Sequence, residues 1–250
     1  MSRTPNRAGF AMKRRLGGIG FDLGETLIFY RDTPLSWSSL YPRALASVAK
    51  ACEASPDAGQ LSAASQILAR YNTRIVPRTC EITAEEIFSQ VLLSWELEPA
   101  GKLGIAIDGF FSFFQRQSCA YPDAVAELER LRDLGVPVAI LTDVPYGMPR
   151  NFVQRDLDRA GISGLFNVLL TSVEVGVRKP DPRGYLALAG RLGIAPEEML
   201  YVGNEAKDII GARSARFRSA FLHCNGSGAN HGQDFTLSSL TGIAELFALR

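Results

Sequence analysis

The chain predicts an α/β fold, a doubly wound, Rossmann-like parallel sheet with an all-helical subdomain inserted after its first strand. Three observations carry this expectation. From residue 121 onward, short apolar runs ("VPVAILTD", "NVLLTS", "EMLYVGN", "RSAFLHC") alternate with helix-spaced stretches, and strands separated by helical crossovers pair in parallel with right-handed connections. Between about residues 34 and 117 that alternation is missing, and only helical patterning occurs. The length of 250 residues suits one large domain carrying a sizeable insertion.

The elements follow in order. Residues 1–15 carry Arg3, Arg7, Lys13, Arg14 and Arg15 with no aromatic or amphipathic partner, which predicts a disordered basic tail. "GGIGFDLGETLIFY" opens with a buried strand over 17–23 that ends at Asp22 and turns through Gly24. Four helices are expected from "LSWSSLYPRALASVAKAC", "GQLSAASQILARYNTRI", "TAEEIFSQVLLSWELE" and "KLGIAIDGFFSFFQRQ", with Thr83 and Glu86 forming a capping box. "PDAVAELERLRDLG" places Val125, Leu128, Leu131 and Leu134 on one helical face and stops at a glycine. Helices near 149–160, in "DPRGYLALAGRLG" and in "AKDIIGARSA" separate the later strands, and a last helix is expected near 237–248. The α/β core therefore comprises 16–31 and 120–250, and the helical insertion 32–119.

Composition narrows the function classes. Twenty-seven basic against 26 acidic residues leave a net charge of +1, which gives no electrostatic case for nucleic acid. No apolar stretch of about 18 residues is present to span a bilayer, and the N-terminal charges run into "LGGIGFDLG" rather than a signal-peptide core. Cys52, Cys80, Cys119 and Cys224 are scattered, with His223 and His231 as the only histidines. This pattern predicts reduced thiols in a cytoplasmic protein and neither a zinc site nor a disulfide framework.

Sheets of this type bind ligands at the carboxyl ends of their strands. Asp22, Thr142 and Asn204 each end a predicted strand, and Lys179 follows another, so residues distant in sequence converge on one edge.

"FDLGETL", "ILTD", "GVRKPDP" and "VGNEAKDIIGA" occur in that order. They resemble the four motifs of the haloacid dehalogenase-like (HAD) hydrolases over about residues 17–225, and the helical insertion matches that superfamily's cap. The resemblance implies a hydrolase, phosphatase-type more than dehalogenase-type, acting on a small phosphorylated molecule. Asp22 would be the nucleophile that forms an aspartyl intermediate, a role suited to a carboxylate that is ionised well below pH 7. Thr142 and the neighbouring Asp143 position would hold the phosphoryl group, and Lys179 would offset its charge. Asp22, the Gly24 backbone carbonyl, Asn204 and Asp208 would hold Mg²⁺ through hard oxygen donors.

Two departures from that pattern matter. Gly24 stands where the phosphatases carry an acid/base aspartate, and Asn204 where they carry a metal-binding aspartate. Each is followed by a glutamate. Glu25 and Glu205 therefore stand as candidates to compensate, against the plainer reading in which Glu25 begins the segment after the strand and Glu205 favours a helix N-terminus. Without an acid at position 24 the chain is expected to be slow. A haloacid dehalogenase, which needs no proton donor, and a HAD-like binding or regulatory protein are the competing readings. From the insertion, Arg31, Trp37, Arg43, Arg74, Arg78, Trp95, Phe110, Phe111, Phe113 and Phe114 are available, the Phe run reading as core and one or two arginines as contacts for an anionic substrate.

Overall fold

The computed structural model describes residues 15–115, 118–223 and 229–248; residues 1–14 of the expected basic tail, and Cys224, lie outside them. Strand β1 (Gly18–Phe21) is buried along its whole length and delivers Asp22 at its carboxyl end. A tight turn leads to β2 (Ile28–Tyr30). A short 3-10 turn at Trp37–Leu40 then opens the helices α1 (Tyr41–Ala51), α2 (Ala58–Tyr71), α3 (Ala84–Ser94) and α4 (Leu103–Phe114). Capping boxes start two of them, Asp57 with Gln60 at α2 and the expected Thr83 with Glu86 at α3. Strand β3 (Ser118–Ala120) returns antiparallel to β2, setting Ile28 opposite Ala120 and Tyr30 opposite Ser118. This two-stranded ribbon brackets the inserted helices and was not anticipated from sequence.

The alternating half follows as α5 (Pro122–Asp133), β4 (Val138–Thr142), α6 (Arg150–Ala160), β5 (Val168–Thr171), the single-turn α7 (Ser172–Val175), α8 (Pro182–Leu192), β6 (Met199–Gly203), α9 (Ala206–Ser214) and β7 (Arg218–Leu222). At the C-terminal end the expected helix over 237–248 is replaced by β8 (Phe235–Leu237) and the four-residue α10 (Glu245–Ala248). Two physical causes account for the difference. Gly242 adopts a left-handed φ of 84° that interrupts a helix, and the edge of β7 gains a parallel partner in β8, Ala220 facing Phe235.

The main sheet has six parallel strands in the order β5-β4-β1-β6-β7-β8. Because side chains alternate across a strand, Ile140, Leu200 and Val202 join one apolar cluster, and Ala139, Leu141, Met199 and Tyr201 join a second with Tyr185 and Leu188 of α8. The first cluster continues without a break into Leu45, Phe88 and Phe110 of the inserted helices. Among the described residues no helix is long and apolar enough to cross a membrane.

Candidate active site

The strand order reverses on either side of β1, which lies between β4 and β6. The carboxyl ends of those three strands therefore sit side by side, at the position where open α/β sheets bind ligands. The Asp22 backbone N–H donates to Val202 O at 2.9 Å, fixing the end of β1 against β6. The structure thus brings Asp22, Thr142, Asp143, Lys179, Asn204 and Asp208, all singled out from sequence, to one edge.

Lys179 is the hub. Its Nζ lies 2.5 Å from Asp22 Oδ1 and 2.6 Å from Asp208 Oδ1, with all three residues buried, and it also donates to Tyr201 Oη at 3.3 Å. Tyr201 Oη in turn donates a hydrogen bond to Leu141 O at 2.9 Å. Burial pushes the Asp22 carboxyl up to about 6; the Lys179 ammonium opposes this and the Asp208 carboxylate adds to it. Burial would lower Lys179, but Asp208 and Asp22 outweigh it and hold the ammonium charged. At neutral pH the edge therefore presents an ionised Asp22 next to a fixed cation.

Asp208 is clamped from both sides, Oδ1 by Lys179 and Oδ2 by the Glu205 backbone N–H at 2.9 Å. It fits only because position 203 has no side chain: a Cβ on Gly203 would come within 2.4 Å of the Asp208 carboxyl carbon. Asp143 accepts from the Lys179 backbone N–H at 3.0 Å, while its Oδ2 lies 3.1 Å from Lys207 Nζ and 3.8 Å from the Arg178 guanidinium. Burial works against ionisation of Asp143, and Lys179, Arg178 and Lys207 together still hold its carboxyl below the usual range.

Asn204 Oδ1 is buried and has no hydrogen-bond partner among the described residues, which leaves an orphaned acceptor at the end of β6. Asp22, Asp208, Asn204 and the backbone of Gly24 offer only oxygen donors, the chemistry a hard divalent cation takes. Among the described residues no group of three or more His, Cys, Asp and Glu side chains could hold a metal, so an amide and a backbone carbonyl have to complete any such site.

The two candidate glutamates are engaged. Glu25 adopts a left-handed φ of 57°, and its Oε2 accepts from Tyr121 Oη at 3.0 Å. Glu205 pairs with Arg74 at 2.5 Å and with Lys207 at 2.9 Å. The space beside Gly24 is open, since a Cβ there meets nothing within 4 Å.

These groups open onto a cavity of about 370 Å³ whose far side comes from the inserted segment. Trp37, Arg74 and Arg78 line it; the sequence suggests one or two of the insertion's arginines there and makes no such suggestion for its aromatic residues. Phe110, Phe111 and Phe114 are buried in the apolar cluster instead. Trp95 donates to Gln60 O, Arg43 lies over the Phe113 ring, and Arg31 reaches Cys119 Sγ. Cavity residues that escaped the sequence reading include Arg178, Lys207, Tyr146, Tyr71 and Met148. Arg178 is buried and binds Glu81, Val144 O and Asp143, tying the inserted segment to the motif that carries Lys179. Its place immediately before that lysine was the available signal.

A family model for haloacid dehalogenase-like hydrolases matches residues 17–216. A phosphoserine phosphatase from Thermus thermophilus is 39% identical over 114 residues, 44% of this chain and 44% of that protein. A phosphoglycolate phosphatase from Yersinia pestis is 35% identical over 101 residues, 40% of this chain and 42% of that protein. The chain thus spans less than half the length of the curated relatives it matches. Two solved structures share the fold across nearly the whole length. A HAD phosphatase from Thermococcus onnurineus superposes with a TM-score of 0.62 at 22% identity, covering 92% of this chain and 97% of that one. A 2-haloacid dehalogenase from Pseudomonas syringae superposes with a TM-score of 0.65 at 19% identity, covering 93% and 98%.

Proposed function

We propose, on the premise that this chain belongs to the haloacid dehalogenase-like hydrolases, that it hydrolyses small phosphomonoesters through an aspartyl-phosphate on Asp22. The observation that carries this reading is the buried Asp22–Lys179–Asp208 cluster, whose Asp22 and Lys179 line the cavity. An ionised carboxylate beside a fixed ammonium supplies both a nucleophile and a counter-charge for a phosphoryl group.

In the proposed reaction an Asp22 oxygen attacks phosphorus and the ester oxygen leaves. Lys179 offsets the charge of the equatorial oxygens, and the Thr142 hydroxyl, at the end of β4, holds one of them. Asp143 orients the Lys179 backbone and, through Lys207 and Arg178, sets the charge balance around the entering anion. The donor set of Asp22, the Gly24 carbonyl, Asn204 and Asp208 would hold Mg²⁺, which when bound adds positive charge beside the phosphoryl oxygens. Residues 32–119 act as a cap over the site, covering the cavity and excluding water.

Gly24 offers no proton to the leaving oxygen, and Glu25 is committed to Tyr121. General acid help is worth about 10²–10⁴-fold in rate, so slow turnover that favours good leaving groups follows. The test is phosphate release with Mg²⁺ from p-nitrophenyl phosphate and acetyl phosphate, alongside beryllofluoride trapping. Release and trapping that disappear in Asp22→Asn support the reading, and rates equal to that variant overturn it.

A further inference from the structure

We infer that the site is built for small aryl phosphates, esters whose leaving oxygen is carried by a single aromatic ring. This deepens the phosphatase reading above and rests on it. Two features of the cavity lead to it independently.

The first is the open space at Gly24 beside the nucleophile. When Asp22 forms its bond to phosphorus, the ester P–O bond breaks and the electron pair goes to the leaving oxygen. An aliphatic alkoxide, whose conjugate acid is about as weak as water, needs a proton at that moment. A phenolate, with a pKa of about 10, departs as the anion. Water then attacks phosphorus of the aspartyl-phosphate and the Asp22–phosphorus bond breaks. The carboxylate is regenerated, and the water's proton leaves on the phosphate or to solvent. Neither step calls on an acid at position 24.

The second is the aromatic part of the same cavity's lining. Trp37 and Tyr146 line the cavity with ring centroids 5.6 Å apart and planes 25° from parallel, and Met148 and Tyr71 extend the surface. The wall is rigid. Trp37 stacks on Phe114 at 3.8 Å, and Tyr146 Oη meets Tyr41 Oη at 2.6 Å, which in turn accepts from Asn72. Tyr146 sits at φ 51°, ψ 32°, a left-handed conformation rare for a bulky residue. The next residue, Gly147, backs onto the start of α3, where a Cβ would come within 2.3 Å of Ile82 O. Strained backbone of this kind persists where surrounding packing over-determines it and concentrates at ligand sites. The outcome is an aromatic ring held two residues beyond Val144, on the loop that leaves the phosphoryl-binding strand end. A cavity of about 370 Å³ is at the small end of ligand pockets, enough for a phosphoryl group and one ring.

The experiment compares kcat/KM, with Mg²⁺, across substituted phenyl phosphates, acetyl phosphate, phosphoserine and phosphoglycolate. It also compares the inhibition constants of phenylphosphonate and methylphosphonate on the unaltered protein. Expected are a rate that climbs steeply as the phenol becomes more acidic, and phenylphosphonate binding at least about tenfold tighter than methylphosphonate, the worth of burying one ring against aromatic side chains. Trp37→Ala is expected to lower the ratio of aryl to acetyl phosphate turnover by about tenfold. Since Trp37 also packs in the apolar cluster, the phosphonate comparison stands whether or not that variant folds. Aliphatic carboxylated phosphates turned over as well as aryl phosphates, or phosphonates bound alike, would overturn the inference and leave the phosphatase reading intact. No release from any of these esters, together with no trapping on Asp22, would remove both.

Discussion

Along the sheet edge, Asp22 is 8% exposed, Lys179 5% and Asp208 0%, and the ammonium meets each carboxylate at 2.5–2.6 Å. Across the cavity the inserted segment offers Trp37 and Tyr71 with a half-exposed Arg74 at the rim. One side is a charge network in a low dielectric, where every member depends on its neighbours. The other is mostly shape and apolar surface, with a screened Arg74–Glu205 pair at its rim and the buried Glu81 side chain holding Arg78 and Arg178 behind it. The contrast teaches where each kind of change acts: edits to the sheet edge strike the reaction and the fold together, and edits to the facing wall strike selectivity.

The largest effect is expected from Lys179→Met. Removing the hub leaves two buried carboxylates without their cation, and breaking a buried pair in this way costs about 3–5 kcal/mol. Denaturant unfolding should register that loss, and phosphate release should fall to the level of Asp22→Asn. A variant that is inactive but fully stable would show that the cluster is not the tightly coupled network its distances suggest.

Gly24→Asp tests the vacancy on the same edge. A Cβ there meets no described atom within 4 Å, so the substitution should fold. Restoring an acid is expected to raise kcat for aliphatic esters by about 10²-fold, the lower end of general acid help, with a smaller gain for p-nitrophenyl phosphate. An equal change for both esters would detach the leaving-group preference from Gly24.

Asn204→Asp comes next. It replaces the orphaned amide oxygen with a carboxylate and is expected to tighten Mg²⁺ by about tenfold, within the range that single changes around a metal site produce. Isothermal titration of the purified protein checks it directly, apart from catalysis. Unchanged affinity would place the cation elsewhere.

How much of this was readable beforehand differs between the two sides in the same way. Asp22, Thr142 and Asn204 were legible because a buried strand announces its own end: an apolar run stops at a polar residue, and parallel topology brings such ends together. Asp208, inside α9, was legible only through the resemblance of "VGNEAKDIIGA" to the fourth motif. The wall was much harder to see. Tyr146 lies in "VPYGMP", a local pattern that reads as a turn and carries no hint that its hydroxyl finds Tyr41, 105 residues away. Glu25 looked available until Tyr121, 96 residues on, supplied its partner. Strands β2, β3 and β8 have three residues each, too few for a period of two to register. Pairing of that kind is decided by what the rest of the chain leaves unpaired.

The smallest effect belongs to the rim pair, Arg74 with Glu205. Arg74 is 45% exposed and Glu205 28%, and exposed ion pairs are worth about 0–1 kcal/mol. Burial would raise the Glu205 carboxyl, but Lys207 and Arg74 more than offset it and hold it below its ordinary value. A depressed folded-state value means the stabilisation is fully present above the unfolded glutamate pKa of about 4.3 and is lost as pH falls through the folded one. In EDTA, so that no cation competes, Arg74→Gln should therefore destabilise by less than about 1 kcal/mol at pH 7 and by nothing measurable near pH 3. Because the pair is open to solvent, about 1 M salt should erase the difference at pH 7 as well. A loss that survives both acid and salt would mean that Arg74 contributes through packing of its stem over the cavity, and that the rim resembles the buried edge more than its exposure implies.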